Sequence, residues 1–178
     1  MLRDVGRPTD HAGDHEVTIR TFDITPEEMG LPELFEVEPR ERLGMRGLRL
    51  GLVRPELLER QLRALIRAGA GRNLRIMFPF VTSADEVARA ITMLRAQAEK
   101  IGMTPPPAGV MVEVPAAALD AGRLARHAAF LSIGTNDLTQ YTLAADRSDV
   151  RVQRLYDPKH AAVLRLIRLV VRGARRHW

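Results

Sequence analysis

Two hydrophobic rhythms alternate along the chain. Short, nearly unbroken apolar runs occur at 17–23 (VTIRTFD), 74–80 (LRIMFPF), 109–115 (GVMVEVP) and 129–134 (AFLSIG). Between and after them lie longer stretches in which apolar residues recur every three or four positions. The first rhythm predicts strands buried on both faces and the second predicts amphipathic helices. A helix is predicted from Pro55, a residue favoured at the first helical position, through ELLERQLRALIRAGA to the glycines at 69 and 71. Ser83-Ala84-Asp85-Glu86 has the form of a capping box, so the next helix starts there and runs to about Lys100, before Gly102. A helical stretch around 116–126 joins the last two strands, and a final helix covers about 161–175. The run GMRGLRL at 44–50 reads as a fifth strand.

Strand and helix therefore alternate, which predicts an α/β chain with a parallel sheet. Residues 1–16, rich in Gly, Asp and His, read as a poorly ordered N-terminal segment, and 25–42, rich in Pro and Glu, as a loop. With 178 residues and 46% hydrophobic content, the rest, 17–178, suffices for one domain. No apolar run approaches the ~20 residues that span a bilayer, and the N-terminus lacks a signal-peptide core, so the expectation is a cytoplasmic protein with no membrane contact. Zero cysteines exclude disulfides, thiolate metal sites and a cysteine nucleophile.

Charge changes the picture little. The net charge is +5, and among 27 basic residues only Lys100 and Lys159 are lysines. The tail RLIRLVVRGARRHW reads as an amphipathic helix with Arg165, Arg168 and Arg172 in solvent, and no aromatic-rich basic motif points to nucleic acid. His11, His15, His127, His160 and His177 show no metal-ligand spacing and read as structural or solvated.

Candidate chemistry gathers at the carboxyl ends of the strands, where parallel sheets and barrels hold their sites. These ends carry Arg20 and Asp23, then Glu113, then Ser132, Thr135, Asn136 and Asp137. Glu113 and Asp137 are separated by about one strand–helix repeat, so a βαβ unit sets both carboxylates on one rim. Two carboxylates on one rim suit Mg²⁺, which takes one or two protein carboxylates plus waters and phosphate oxygens. Arg20, Arg46 and Arg147 lie in or just after strand ends and suit two-pronged binding of a phosphate or carboxylate. Plainer roles stay open at this point. Glu113 and Asp137 can each favour the start of a following helix, and Arg20 can pair with Asp23. Thr139, Gln140 and Tyr141 read as packing and loop hydrogen bonds.

VMVEVPAAA and FLSIGTNDLTQYTLAADR, with VTIRTFDI, LGMRGLRL, QLRALIRA, LRIMFPFV and LYDPKHAAVLRLI, resemble one family from about residue 17 onward. It is the phosphoenolpyruvate-binding barrel of the phosphoenolpyruvate-protein phosphotransferases, Enzyme I of the bacterial sugar phosphotransferase system. The resemblance implies a (β/α)8 TIM-type barrel, here incomplete, with about four or five of eight parallel strands, since a whole one takes ~250 residues. It implies Glu113 and Asp137 as ligands of Mg²⁺, with Arg20, Arg46, Asn136 and Arg147 binding phosphoenolpyruvate. It also implies a transferase that moves phosphoryl to a protein histidine in sugar uptake, with a histidine-containing phosphocarrier system as partner.

Departures accompany the likeness. DITPEE (23–28) carries acids where the family has a glycine-rich stretch with a basic residue, and EPRERLGMR (38–46) has Glu38 in place of an asparagine. The family's catalytic cysteine and phosphorylated histidine have no counterpart, so no catalytic residue is assigned and full activity from this chain alone is not expected. The alternatives are a non-catalytic binding or assembly module, using the barrel surface to pair with a full-length homologue or to bind phosphoenolpyruvate as a sensor, and a gene fragment; the open sheet edges also offer a homodimer contact.

Overall fold

The computed structural model describes residues 15–24 and 43–177. Most of the segments read above as a poorly ordered N-terminus and a Pro- and Glu-rich loop, with most of the DITPEE and EPRERLGMR departures, lie outside the described residues.

Four strands, β1 (Val17–Arg20), β2 (Leu74–Phe78), β3 (Ala108–Val112) and β4 (Leu131–Ile133), form one sheet in the order of the sequence. Every pairing is parallel, with Arg20 beside Met77, Phe78 beside Val110 and Val112 beside Ile133. Sequential parallel neighbours joined by helices are the repeating unit of a (β/α) barrel, and four of them make half of one. β2 and β3 are the middle strands and hold the buried Ile76, Phe78, Val110 and Val112, in keeping with their apolar runs.

Between β1 and β2 lie α1 (Gly47–Val53) and α2 (Pro55–Ala68). Pro55 occupies the first turn of α2, and Leu58, Leu62, Leu65 and Ile66 form its buried stripe. α3 (Ala84–Lys100) follows β2 with the capping box closed: Ser83 Oγ accepts from the Glu86 amide, and Glu86 Oε2 accepts from the Ser83 amide at 3.1 Å. Two short helices, α4 (Pro115–Leu119) and α5 (Ala121–Leu124), link β3 to β4. α6 (Thr135–Leu143) starts directly after β4, and α7 (Ala161–Ala174) closes the described fold against α4, α5 and α6. Gly173 crosses α5 so closely that a Cβ there would lie 2.7 Å from the Gly122 nitrogen. Among the described residues no helix is long and apolar enough to cross a membrane.

One expected element changes type. The run GMRGLRL contributes α1, not a fifth strand. Its buried residues Gly47, Leu48, Leu50 and Gly51 fall at helical spacings, and Gly51 packs so closely on Leu58 that a Cβ there would lie 3.0 Å from Leu58 Cδ2. Gly47 starts the helix at φ +54, where a Cβ would also come within 2.6 Å of Phe80 Cβ. Alternation of apolar and basic letters over so short a run cannot separate the two periods.

Candidate functional site

The four strands end on one rim, and the segments leaving them converge on a cleft of about 600 Å³. Arg20 ends β1, Glu113 follows β3, Asn136 and Asp137 open α6, Arg147 lies beyond its end, and Arg46 precedes α1. All six line this cleft, together with Asp23, Met111, Gly134 and Gln140. Among the described lining residues, three arginines oppose three carboxylates, and neither histidine nor cysteine is present.

Arg46 is the most enclosed cation. Its Nε donates to Asp23 Oδ1 at 3.0 Å and its Nη2 to Asp23 Oδ2 at 2.8 Å, a two-pronged pair with side chains 15% and 5% exposed. Nη2 also lies 3.1 Å from Asp137 Oδ2, and Nη1 donates to the Tyr141 hydroxyl at 3.2 Å. The guanidinium stacks over the Phe80 ring, 4.7 Å from its centroid. Burial works against the charge, but the hydrogen bond and charge of Asp23 outweigh it, with help from Tyr141 and Asp137, so the Arg46 pKa lies above its ordinary value.

Glu113 is a different case. It is 3% exposed, and its Oε1 accepts from the Phe80 amide at 2.7 Å. Phe80 adopts φ +56, a left-handed conformation rare for a bulky residue. No cation pairs directly with Glu113 among the described residues. Burial pushes its pKa up to about 7; the Phe80 hydrogen bond opposes this, the charges of Asp23 and Asp137 add to it, and Arg46 partly offsets them. Gly134 makes room for this carboxylate, since a Cβ at 134 would sit 2.8 Å from both Glu113 Cβ and Oε2.

Asp137 takes an arginine on each oxygen: Arg46 on Oδ2 and Arg147 Nη1 on Oδ1 at 3.2 Å. The Arg147 amide donates to Gln140 Oε1 at 3.2 Å, tying the segment after α6 back to the helix. Arg20 and Arg147 have side chains about half exposed, at 47% and 46%. Arg20 reaches Asp23 only at 3.7 Å. Asn136 is exposed at the start of α6, where its backbone carbonyl accepts from the Tyr156 hydroxyl at 3.2 Å.

The plainer alternatives fare unevenly. Glu113 does not cap α4, whose N-cap is Val114, whereas Asp137 stands in the first turn of α6, where a carboxylate does favour the helix start. Asp23 pairs chiefly with Arg46, not with its near neighbour Arg20. Tyr141, read from sequence as packing, also puts its hydroxyl on Arg46, and Phe80 was not singled out at all. The only sequence signal at Phe80 is its position just past β2, on the rim that carries the other groups. His160 is structural, its Nδ1 accepting from the Ala162 amide at the start of α7.

Glu113 and Asp137 are two hard oxygen donors on one cleft. Among the described residues no group of three or more His, Cys, Asp or Glu side chains is arranged to hold a metal ion. A cation here would therefore need the rest of its ligands from water or a bound anion, the usual habit of Mg²⁺.

The chain is similar to known proteins over most of its length. The family described as PEP-utilising enzyme, PEP-binding domain matches residues 7–178. A multiphosphoryl transfer protein of Xanthomonas campestris is 52% identical over 136 residues, covering 76% of this chain and 16% of that protein. The phosphoenolpyruvate-dependent phosphotransferase system protein of Escherichia coli is 42% identical over 171 residues, 92% of this chain and 23% of its own length. The phosphoenolpyruvate-protein phosphotransferase of Bacillus subtilis is 42% identical over 165 residues, 89% and 29%. The chain thus spans less than a third of each of these relatives. Among solved structures, a citrate lyase from Burkholderia xenovorans superposes with a TM-score of 0.53 at 20% identity, over 67% of this chain and 38% of its own. Citrate synthase SbnG does so at 0.51 and 14%, over 99% and 70%. At such identities they speak for the barrel-type fold alone.

Proposed function

Since the chain belongs to the PEP-utilising enzymes, by way of their PEP-binding domain, we propose that its cleft binds phosphoenolpyruvate together with Mg²⁺. In this reading the chain is the ligand-binding part of a phosphotransferase that passes phosphoryl from phosphoenolpyruvate to a protein histidine in sugar uptake. The observation that carries the reading is the convergence of Arg20, Arg46, Arg147, Asn136, Glu113 and Asp137 on one cleft at the carboxyl ends of parallel strands.

Glu113 and Asp137 would hold the metal. The fit rests on Glu113, a buried carboxylate with no cation in direct contact among the described residues and a pKa pushed up to about 7. Such a group gains from a positive ion at its free side, and Asp137 supplies a second hard oxygen donor. When bound, Mg²⁺ supplies neutralisation of phosphate charge.

The arginines divide the work by exposure. Arg20 and Arg147, half exposed, are free to turn their forks onto phosphate or carboxylate oxygens, whereas Arg46 is fixed among protein groups and contributes a set positive charge. Asn136 offers amide hydrogens at the open end of α6, whose N-terminal amides add to the attraction for an anion. In transfer, the bond from phosphorus to the enol oxygen breaks while one from phosphorus to a histidine nitrogen forms. The arginines offset the negative charge spread over the phosphoryl oxygens. In this reading the chain provides binding and charge stabilisation, and the acceptor histidine belongs to another part of the system; the described cleft is lined by neither histidine nor cysteine.

Mn²⁺ is a suitable stand-in for the metal, because the paramagnetic resonance signal of the free ion falls as it binds. With phosphoenolpyruvate present, wild-type protein should deplete that signal and Glu113→Gln should deplete it far less. Equal uptake by both proteins, or none by either, would overturn the assignment of the metal site.

A further inference from the structure

Arg46 has one contact that neither the metal nor the ligand requires. Tyr141 stands four residues after Asp137 on α6, so the two side chains share a helix face. That face grips Arg46 twice, Asp137 on Nη2 at 3.1 Å and the Tyr141 hydroxyl on Nη1 at 3.2 Å. Asp23 holds the opposite edge of the guanidinium through Nε and Nη2. Phe80 lies beneath the plane at 4.7 Å, and the Tyr141 ring meets Phe80 near edge-on, with centroids 5.8 Å apart at 67°.

Each contact removes a different freedom. Phe80 fixes which face of the guanidinium is covered, and Asp23 fixes the Nε and Nη2 edge of its rigid plane. The Tyr141 hydroxyl takes Nη1, so that α6 holds the far edge of the plane at two points. We propose that Tyr141 is a positioning residue for the anion-binding wall of the cleft: its hydroxyl holds Arg46 in register with Asp137, so that a phosphate-bearing carboxylic acid meets a preset guanidinium. This rests on the reading of the cleft as a phosphoenolpyruvate site. A preset donor loses less freedom when ligand binds, so the role shows in affinity.

Tyr141→Phe removes the hydroxyl and leaves the ring on Phe80. Titration of phosphoenolpyruvate with Mg²⁺ into the full chain should show about tenfold weaker binding for Tyr141→Phe, with the protein still folded and its thermal midpoint lowered by no more than about 6 °C. In an Arg46→Lys background, which keeps the charge against Asp23 but lacks the planar fork, the same change should cost less than about twofold. An independent readout needs no ligand. In ¹⁵N spectra of arginine side chains, the Arg46 Nη1 signal should shift in Tyr141→Phe while the Nε signal, held by Asp23, stays in place. Unchanged affinity in Tyr141→Phe, an equal loss in both backgrounds, or identical Arg46 signals would each overturn the role. Absence of binding by the wild-type protein would instead overturn the phosphoenolpyruvate reading, and this role with it.

Discussion

Arg46 and Asp23, 23 positions apart, form a two-pronged ion pair that joins the exit of β1 to the start of α1. Both side chains are largely shielded, at 15% and 5% exposure, so removing either takes from the other its two-pronged partner. Asp23→Asn is therefore expected to lower the unfolding free energy by about 3 kcal/mol, the usual cost of breaking a shielded pair from one side. Urea denaturation of the two proteins measures it. A change within about 0.5 kcal/mol, the scale of an exposed pair, would show that the pair contributes nothing beyond surface electrostatics.

Gly134 is predicted to be intolerant for a steric reason. Its φ of −84 suits any residue, so backbone strain is not the issue. A methyl group there would press on Glu113 at 2.8 Å and on Met111 Cγ at 3.1 Å. Gly134→Ala should cost about 1–3 kcal/mol of stability through overpacking and push Glu113 from its place, weakening metal uptake. Calorimetric unfolding and Mn²⁺ binding of the variant test both halves; wild-type behaviour in both would mean that Glu113 moves aside freely.

Glu113 gives a pH dependence whose sign is fixed. Its pKa is about 7 in the folded chain against 4.5 ordinarily, so between these values the folded state keeps a proton that the unfolded state has lost. Its contribution to stability is full below pH 4.5, falls as pH rises and is gone above about 7. The size is on the order of 3 kcal/mol at most. In metal-free protein, Glu113→Gln should be more stable relative to wild type at pH 8 than at pH 4.5. A stability difference independent of pH between the two proteins would contradict the shifted carboxyl.

Arg20 should separate binding from folding. Among the described residues its half-exposed side chain makes only a 3.7 Å approach to Asp23 and a 3.9 Å contact from Nη1 to the Met111 sulfur. Arg20→Gln is expected to leave unfolding within about 0.5 kcal/mol of wild type, as surface changes do, while weakening phosphoenolpyruvate binding by about tenfold or more. Loss of stability without loss of affinity would assign Arg20 to the fold and not to the ligand.

The sheet was legible in sequence because buried parallel strands are written as continuous apolar runs, as LRIMF and AGVMV are here. The proximity of the two rim carboxylates was legible by the same logic. One βα repeat separates them, and β3 and β4 pair directly, which brings Gly134 against Glu113. α1 was misread because GMRGLRL is too short for its period to declare itself, and its buried set becomes clear only against Leu58 and Phe80. The partner of Asp23 was not legible either. Local spacing offers Arg20, whereas the approach of two distant segments delivers Arg46. The left-handed turn at Phe80, which aims its amide at Glu113, leaves no mark in composition because phenylalanine is not a residue that favours it.

The central claim is that one cleft takes anion and cation together. Its most direct test is isothermal titration of phosphoenolpyruvate into the full chain, with and without Mg²⁺, beside Asp137→Ala. The account predicts binding that strengthens markedly with Mg²⁺ in wild type and is lost in Asp137→Ala, whose side chain can no longer serve a metal or hold Arg46 and Arg147. A folded wild-type chain that binds no phosphoenolpyruvate in either condition, or binds it equally well without Asp137, would contradict it.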